Sequence, residues 1–320
     1  MSRFRRWAIW AIAVGAILYV IGSVWAGFSE VSDELVGFTW WIYVPVLLLT
    51  LVNYGLRFGK WHYLLLRLGV HVPVAQNLLI YIAGLAMVIS PGKIGELLKP
   101  YLVSKRTGVS KATTIPALVA ERLTDGIAML VLAAIGVGTY AADQIWVLGV
   151  LGAVIVVGLG VLASESLSLG IIRLVARIPL ARRIAPKLEM MYVAMRTCLA
   201  PVPLILTILV SLVAWGAECV GFLLIFEGLG VTNATLDAST FLYSFATVAG
   251  GAMPGGLGVA DGALVGGTMT LFETTEAVAV AAALLVRVAT LWFGVLLGAV
   301  ALLRFEELAT TDWTGSAEAT

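Results

Sequence analysis

Apolar residues run along this chain in long uninterrupted blocks, without the short amphipathic periods of a soluble fold. Residues 7–27, 38–56, 113–138, 145–163, 203–226 and 277–303 are each long and apolar enough to cross a hydrocarbon core of about 30 Å, which takes about 20 residues of helix. The pattern predicts an all-α polytopic membrane protein with six full transmembrane helices in a single membrane domain over 1–320.

Two further apolar stretches are too short to cross comfortably. Residues 74–90 end at Ser90-Pro91-Gly92, and residues 239–252 end at Met253-Pro254-Gly255-Gly256. Proline lacks an N–H donor and bars a helix from continuing undisturbed. Pro91-Gly92-Lys93-Ile94-Gly95 aligns with Pro254-Gly255-Gly256-Leu257-Gly258 at an offset of 163, and Glu121-Arg122 faces Val286-Arg287 at 165. This predicts an internal repeat, with repeat 1 over 74–138 and repeat 2 over 239–303, each a re-entrant broken-helix hairpin followed by a span. Three spans, 113–138, 145–163 and 203–226, separate the hairpins, so the repeats are expected to be inverted. Inverted repeats with broken helices are an architecture of secondary transporters, whose sites lie where the half-helices meet.

Composition sharpens the class. The chain is 61% hydrophobic and 12% charged, with a mean hydropathy of +1.02, against roughly 45–50% apolar and about 25% charged for a soluble domain. Net charge is only +1, but basic residues gather at 3–6, 57–67, 105–111, 173–196 and 304, while the segments 28–37, 139–144, 227–238 and 272–276 carry acids and no Lys or Arg. The positive-inside rule then places both termini in the cytoplasm. Arg3, Arg5 and Arg6 precede an apolar run too long for a signal peptide, so a retained anchor is expected. Residues 164–200 read as a basic amphipathic segment along the cytoplasmic interface, and 304–320 as a polar tail. Trp7, Trp25, Trp40, Trp41, Trp61 and Trp146 fall near span ends, as an interfacial belt would. Cys198 and Cys219 have no metal or disulfide spacing, and no metal or cofactor is predicted. His62 and His71 read as solvated loop residues.

Charge at membrane depth is expensive and usually functional. The candidates are Lys93, Glu96, Lys99, Glu121, Arg122, Asp125, Glu218, Asp261 and Arg287. Lys93, Glu96 and Lys99 share one helical face, as do Glu121 and Asp125. Helices starting at Gly92 or Gly256 would present unpaired N–H groups to an anion, and Gly255 and Gly258 would let it approach the backbone closely. With Lys93, Arg122 and Arg287 nearby, the expected site is a cationic pocket for phosphate, which suits the planar guanidinium fork. Some of the acids would serve only to balance these cations. Glu218, alone within its span, is either a proton-coupling carboxylate or a partner for Arg287.

At these residues the chain resembles the lysylphosphatidylglycerol synthase transmembrane family, also called flippase-like or UPF0104. The resemblance rests on Ser90-Pro91-Gly92-Lys93-Ile94-Gly95-Glu96-Leu97-Leu98-Lys99-Pro100-Tyr101, on Ala120-Glu121-Arg122-Leu123-Thr124-Asp125 and on Pro254-Gly255-Gly256-Leu257-Gly258-Val259-Ala260-Asp261. It implies translocation of a phosphate-bearing lipid, a phospholipid or a polyprenyl-phosphate-linked sugar, at the cytoplasmic (inner) membrane. Asp261 stands where that family usually has glutamate. No aminoacyl-transfer domain is expected, so the resemblance implies a stand-alone transporter and no synthase activity.

Two other function classes stay open: an intramembrane enzyme using Glu121 and Asp125 as acid and base, and a non-transporting partner in a lipid or glycan assembly complex. The expected partners are the membrane lipid itself and either a second copy of the chain or a biosynthetic glycosyltransferase, with no nucleic acid. GxxxxGK[ST] is absent from the sequence, which disfavours an ATP-driven pump.

Overall fold

A computed structural model describes residues 28–90, 95–140, 142, 145–176 and 185–310. The predicted first span, and Gly92 and Lys93 of the first break, lie outside the described residues. Those described form helices and turns with no strand.

The chain opens with α1 (Phe28–Gly37), where the sequence suggested an acidic loop, and a short 3-10 turn (Trp40–Ile42) leads into α2 (Tyr43–Arg67). Next come α3 (Val74–Leu85), α4 (Leu98–Thr107) and α5 (Lys111–Tyr140). The middle of the chain holds α6 (Ile145–Ala163), α7 (Glu165–Ala176) and α8 (Ala185–Cys198). The second half holds α9 (Pro201–Gly228), α10 (Leu236–Ala249), α11 (Val259–Phe272) and α12 (Glu276–Arg287), which passes through a π-helical turn (Val288–Trp292) into α13 (Phe293–Thr310).

Three of these helical stretches are long and apolar enough to cross a membrane, Trp40–Arg67, Pro201–Gly228 and Glu276–Arg304; Leu148–Ala163 with Glu165–Leu174, bent by 88°, makes a fourth if the pair is one span. This is a multi-pass membrane protein. α5 is as long, but carries Glu121, Arg122 and Asp125 in its middle. Helix α13 runs through Thr310, beyond the point where a polar tail was expected to begin.

Packing pairs the two halves by exchange. α9 lies along α2, while α3 packs against α13 and α10 against α5, so each hairpin's first arm rests on the long helix of the other half. The crossing of α3 and α13 is close. A Cβ on Gly298 would stand 2.3 Å from the Ala86 nitrogen and 2.8 Å from the Ile82 carbonyl oxygen, so only glycine fits there. At the other crossing Gly136 gives the same clearance to Phe241. Phe222, Ile225 and Phe226 of α9 fill the core of the second half, and Trp61, Leu64, Leu65 and Ile80 fill that of the first.

Both predicted breaks interrupt the helices. After α3 the chain turns through Ser90, and Gly95 donates its N–H to Ser90 Oγ at 2.8 Å. After α10 it passes through short 3-10 turns, with Gly255, Gly256 and Gly258 at φ of 59°, 74° and 83°. Side chains rarely adopt that left-handed region, which accounts for the glycines. The two breaks touch: Gly255 N–H donates to the Val88 carbonyl at 3.2 Å, and Ile89 packs on Leu291 and Val295.

Three expectations need correction. The span placed at 38–56 continues to Arg67, so Arg57 and Lys60 are buried helical residues and not loop cations. Trp61 belongs to no interfacial belt: it is fully buried and donates from Nε1 to Asn77. Trp40, Trp41 and Trp146 are exposed. His62, expected in a solvated loop, is half-buried on α2 and bonds Asn77 at 2.7 Å.

Candidate functional site

Helix α2 places the first charged group. Val46, Thr50, Asn53, Arg57, Lys60 and Leu64 form one buried stripe at helical spacing. That stripe meets Glu121 and Asp125, one turn apart on α5. Lys60 Nζ lies 2.5 Å from Asp125 Oδ1 and 2.6 Å from Ser211 Oγ of α9, and Ser211 donates to the same carboxylate oxygen at 3.0 Å. Arg57 lies 3.4 Å from Asp125 and 3.9 Å from Glu121, with its guanidinium 5.0 Å from the Trp215 ring centre.

The residues of α4 and α5 and the turn before α4 supply the rest. Lys99 of α4 donates to Glu121 Oε2 at 2.6 Å, and its ammonium sits over the Trp61 and Tyr81 rings at 4.7 and 4.9 Å. Gly84 leaves room for the Lys99 stem, since a Cβ there would come 2.5 Å from Lys99 Cγ. Arg122 binds Glu121 at 2.8 Å, Glu96 at 3.0 Å and Asp125 at 3.7 Å. Four cations thus meet three carboxylates in one continuous network. Its members differ in access: the Arg122 side chain is 31% exposed, while those of Arg57, Lys60 and Lys99 are 7%, 0% and 4%. A ligand reaching the network would therefore meet Arg122 first.

The second group is smaller. Arg287, at the end of α12, donates from Nε to Asp261 Oδ1 at 2.6 Å and from its terminal nitrogens to the Gly255 and Gly256 carbonyls at 3.1 and 3.3 Å. Asp261 Oδ2 accepts the Gly258 N–H at 2.9 Å. The start of α11 is thereby capped by the chain's own carboxylate, and begins at Val259, not at Gly256 as the sequence suggested. Arg287 follows Arg122 by 165 positions, and Asp261 follows Glu96 by the same 165. One arginine–carboxylate pair is thus built twice.

Glu218 belongs to neither ion-pair group. It is buried on α9, and Tyr243 of α10 donates its hydroxyl to Glu218 Oε2 at 2.5 Å. It lies within electrostatic reach of Arg57, Asp125 and Arg287. Arg287 is committed to Asp261, so the pairing with Glu218 suggested by the sequence does not form. Among the described residues, no group of three or more His, Cys, Asp or Glu could hold a metal ion.

Over residues 9–298 the chain matches the family described as Lysylphosphatidylglycerol synthase TM region. It belongs to that family. No curated protein and no solved structure is matched.

In this member of the lysylphosphatidylglycerol synthase TM region family, the structure joins Glu96, Lys99, Glu121, Arg122 and Asp125 in one network and Gly255, Gly256, Gly258, Asp261 and Arg287 in another. Sequence reasoning missed Arg57, Lys60, Ser211 and Tyr243. For Arg57 and Lys60 a signal existed. No proline follows Asn53 before Pro73, and the helical spacing Asn53, Arg57, Lys60, Leu64 continues the stripe of the span.

Proposed function

We propose that the protein is a lipid flippase that moves a phosphate-bearing lipid, a phospholipid or a polyprenyl-phosphate-linked sugar, by alternating exposure of a cationic site near the membrane midplane. The observation that carries this reading is the buried network of Arg57, Lys60, Lys99 and Arg122 against Glu96, Glu121 and Asp125, which among the described residues holds one positive charge in excess and opens outward through Arg122. Burying charge in an apolar medium costs several kcal/mol per ion unless it is compensated. An excess cation at such depth is best explained by an anion that comes and goes.

The exchanged packing of α3 on α13 and α10 on α5, with the duplicated arginine–carboxylate pair, supports an inverted repeat. In this reading the chain crosses six times, the two hairpins re-enter from opposite faces and the termini lie in the cytoplasm, with α7 and α8 along that interface of the cytoplasmic membrane. The two halves then rock about the touching breaks at Val88 and Gly255. Glu121 and Asp125 are each held by two or more cations, an arrangement for charge balance more than for acid–base chemistry.

Photo-crosslinking tests the reading. With a photoreactive residue at Leu97 or Leu257, flanking the two breaks, phosphatidylglycerol should be captured in preference to diacylglycerol, and Arg122→Ala should lose that preference. Equal capture of the charged and neutral lipids by the unsubstituted site would overturn it.

A further inference from the structure

Each acid of the two ion-pair groups has a Lys or Arg nitrogen within 3.0 Å: Glu96 has Arg122, Glu121 has Lys99, Asp125 has Lys60 and Asp261 has Arg287. Glu218 is buried as deeply, at 3% exposure, yet among the described residues no Lys or Arg nitrogen comes within 4.0 Å of its carboxylate. Tyr243 of α10 touches it, and Tyr54 and Arg57 of α2, Asp125 of α5, Arg287 of α12 and Cys219 beside it on α9 lie within electrostatic reach. Arg57 and Arg287 are engaged with Asp125, Glu121 and Asp261. An isolated charge in an apolar interior is far costlier than a paired one. Among the described residues no cation touches this carboxylate, so a proton is the counter-ion that would bind it directly.

We propose that Glu218 is a proton-binding site, with Tyr243 as its positioning residue, and that its loading and release couple proton movement to lipid movement. The coupling rests on the flippase reading above; the proton site does not. The step is a proton transfer alone. A proton adds from water on one side of the membrane to a Glu218 carboxylate oxygen, and later leaves to water on the other side, with no other bond changed.

The position suits the role. Tyr243 lies on the helix that leads into the second break, and a π-helical turn directly follows Arg287. Single π turns inside helices are frequent at functional sites. Charging Glu218 would therefore be felt both at the hinge near Gly250–Gly258 and at the arginine that holds Asp261.

Two measurements on the full chain separate the proton site from the coupling. In nanodiscs, infrared difference spectra from acid to neutral pH should show a protonated-carboxyl C=O band that is lost in Glu218→Gln and shifted in its titration midpoint in Tyr243→Phe. Persistence of the same band in a monodisperse Glu218→Gln protein would overturn the site. In vesicles of phosphatidylcholine with fluorescent phosphatidylglycerol, an imposed pH gradient should speed translocation several-fold in the native protein, and Glu218→Gln should lose that response. A gradient response kept in Glu218→Gln would overturn the coupling. Absence of lipid movement in the native protein would overturn the flippase reading and the coupling together, leaving the infrared result to decide the proton site.

Discussion

Arg287 donates from Nε to the Asp261 carboxylate at 2.6 Å, and the other oxygen of that carboxylate caps the start of α11 through the Gly258 N–H at 2.9 Å. One acid thus ties the broken half-helix to the long helix beside it. Asp261→Asn keeps the shape but removes the charge and leaves one acceptor oxygen for two donors, the Arg287 Nε and the Gly258 N–H. A charge-assisted hydrogen bond is worth about 1.5–3 kcal/mol, and the unfolding temperature of the purified protein, followed by tryptophan fluorescence, should fall accordingly. Asp261→Glu, which keeps the charge, should recover most of the loss. Equal melting of the two variants would show that the charge is immaterial.

The Lys60–Asp125 pair is expected to be strongly coupled. Breaking a buried pair from one side typically costs about 3–5 kcal/mol because the other charge is stranded. Lys60→Met and Asp125→Asn should each destabilise heavily, and the double variant should cost clearly less than their sum. The non-additivity expected for residues in one network is about 0.5–3 kcal/mol. Strict additivity in a double-mutant cycle would mean that Lys60 and Asp125 act independently.

Close packing at α3 and α13 predicts a sharp contrast between glycines. Gly298→Ala drives a methyl group into the backbone nitrogen of Ala86, directly after α3, and overpacking of this kind costs typically about 1–3 kcal/mol. Gly216→Ala on α9 meets nothing within 4 Å and should lie within about 0.5 kcal/mol of the native protein. Thermal unfolding of the two variants side by side checks this.

Much of the fold could be read from the sequence because the apolar blocks and the Pro-Gly breaks are local signals. The block 145–163 has the bounds of α6, the blocks 113–138 and 203–226 lie inside α5 and α9, and the second break interrupts the helices at Pro254 as predicted. Charge alone predicts a span end before Arg57 and Lys60, yet the helix runs on to Arg67. They continue it because Asp125, Glu121 and Ser211, far away in sequence, compensate them. No local pattern reports such partners. Tyr243 was invisible for the same reason, standing 25 residues from the Glu218 it binds. The Asp261 cap could have been read, since an acid three residues after a helix-capping position is a local motif.

Lipid translocation by Arg122 and its network tests the account most directly. Purified protein is placed in vesicles containing fluorescent phosphatidylglycerol, and dithionite is added outside to bleach the label it can reach. The account predicts that native protein exposes inner-leaflet label to bleaching, and that Arg122→Ala and Arg287→Ala, each eluting as a monodisperse species, lose this. Bleaching at the native rate in both variants would contradict it.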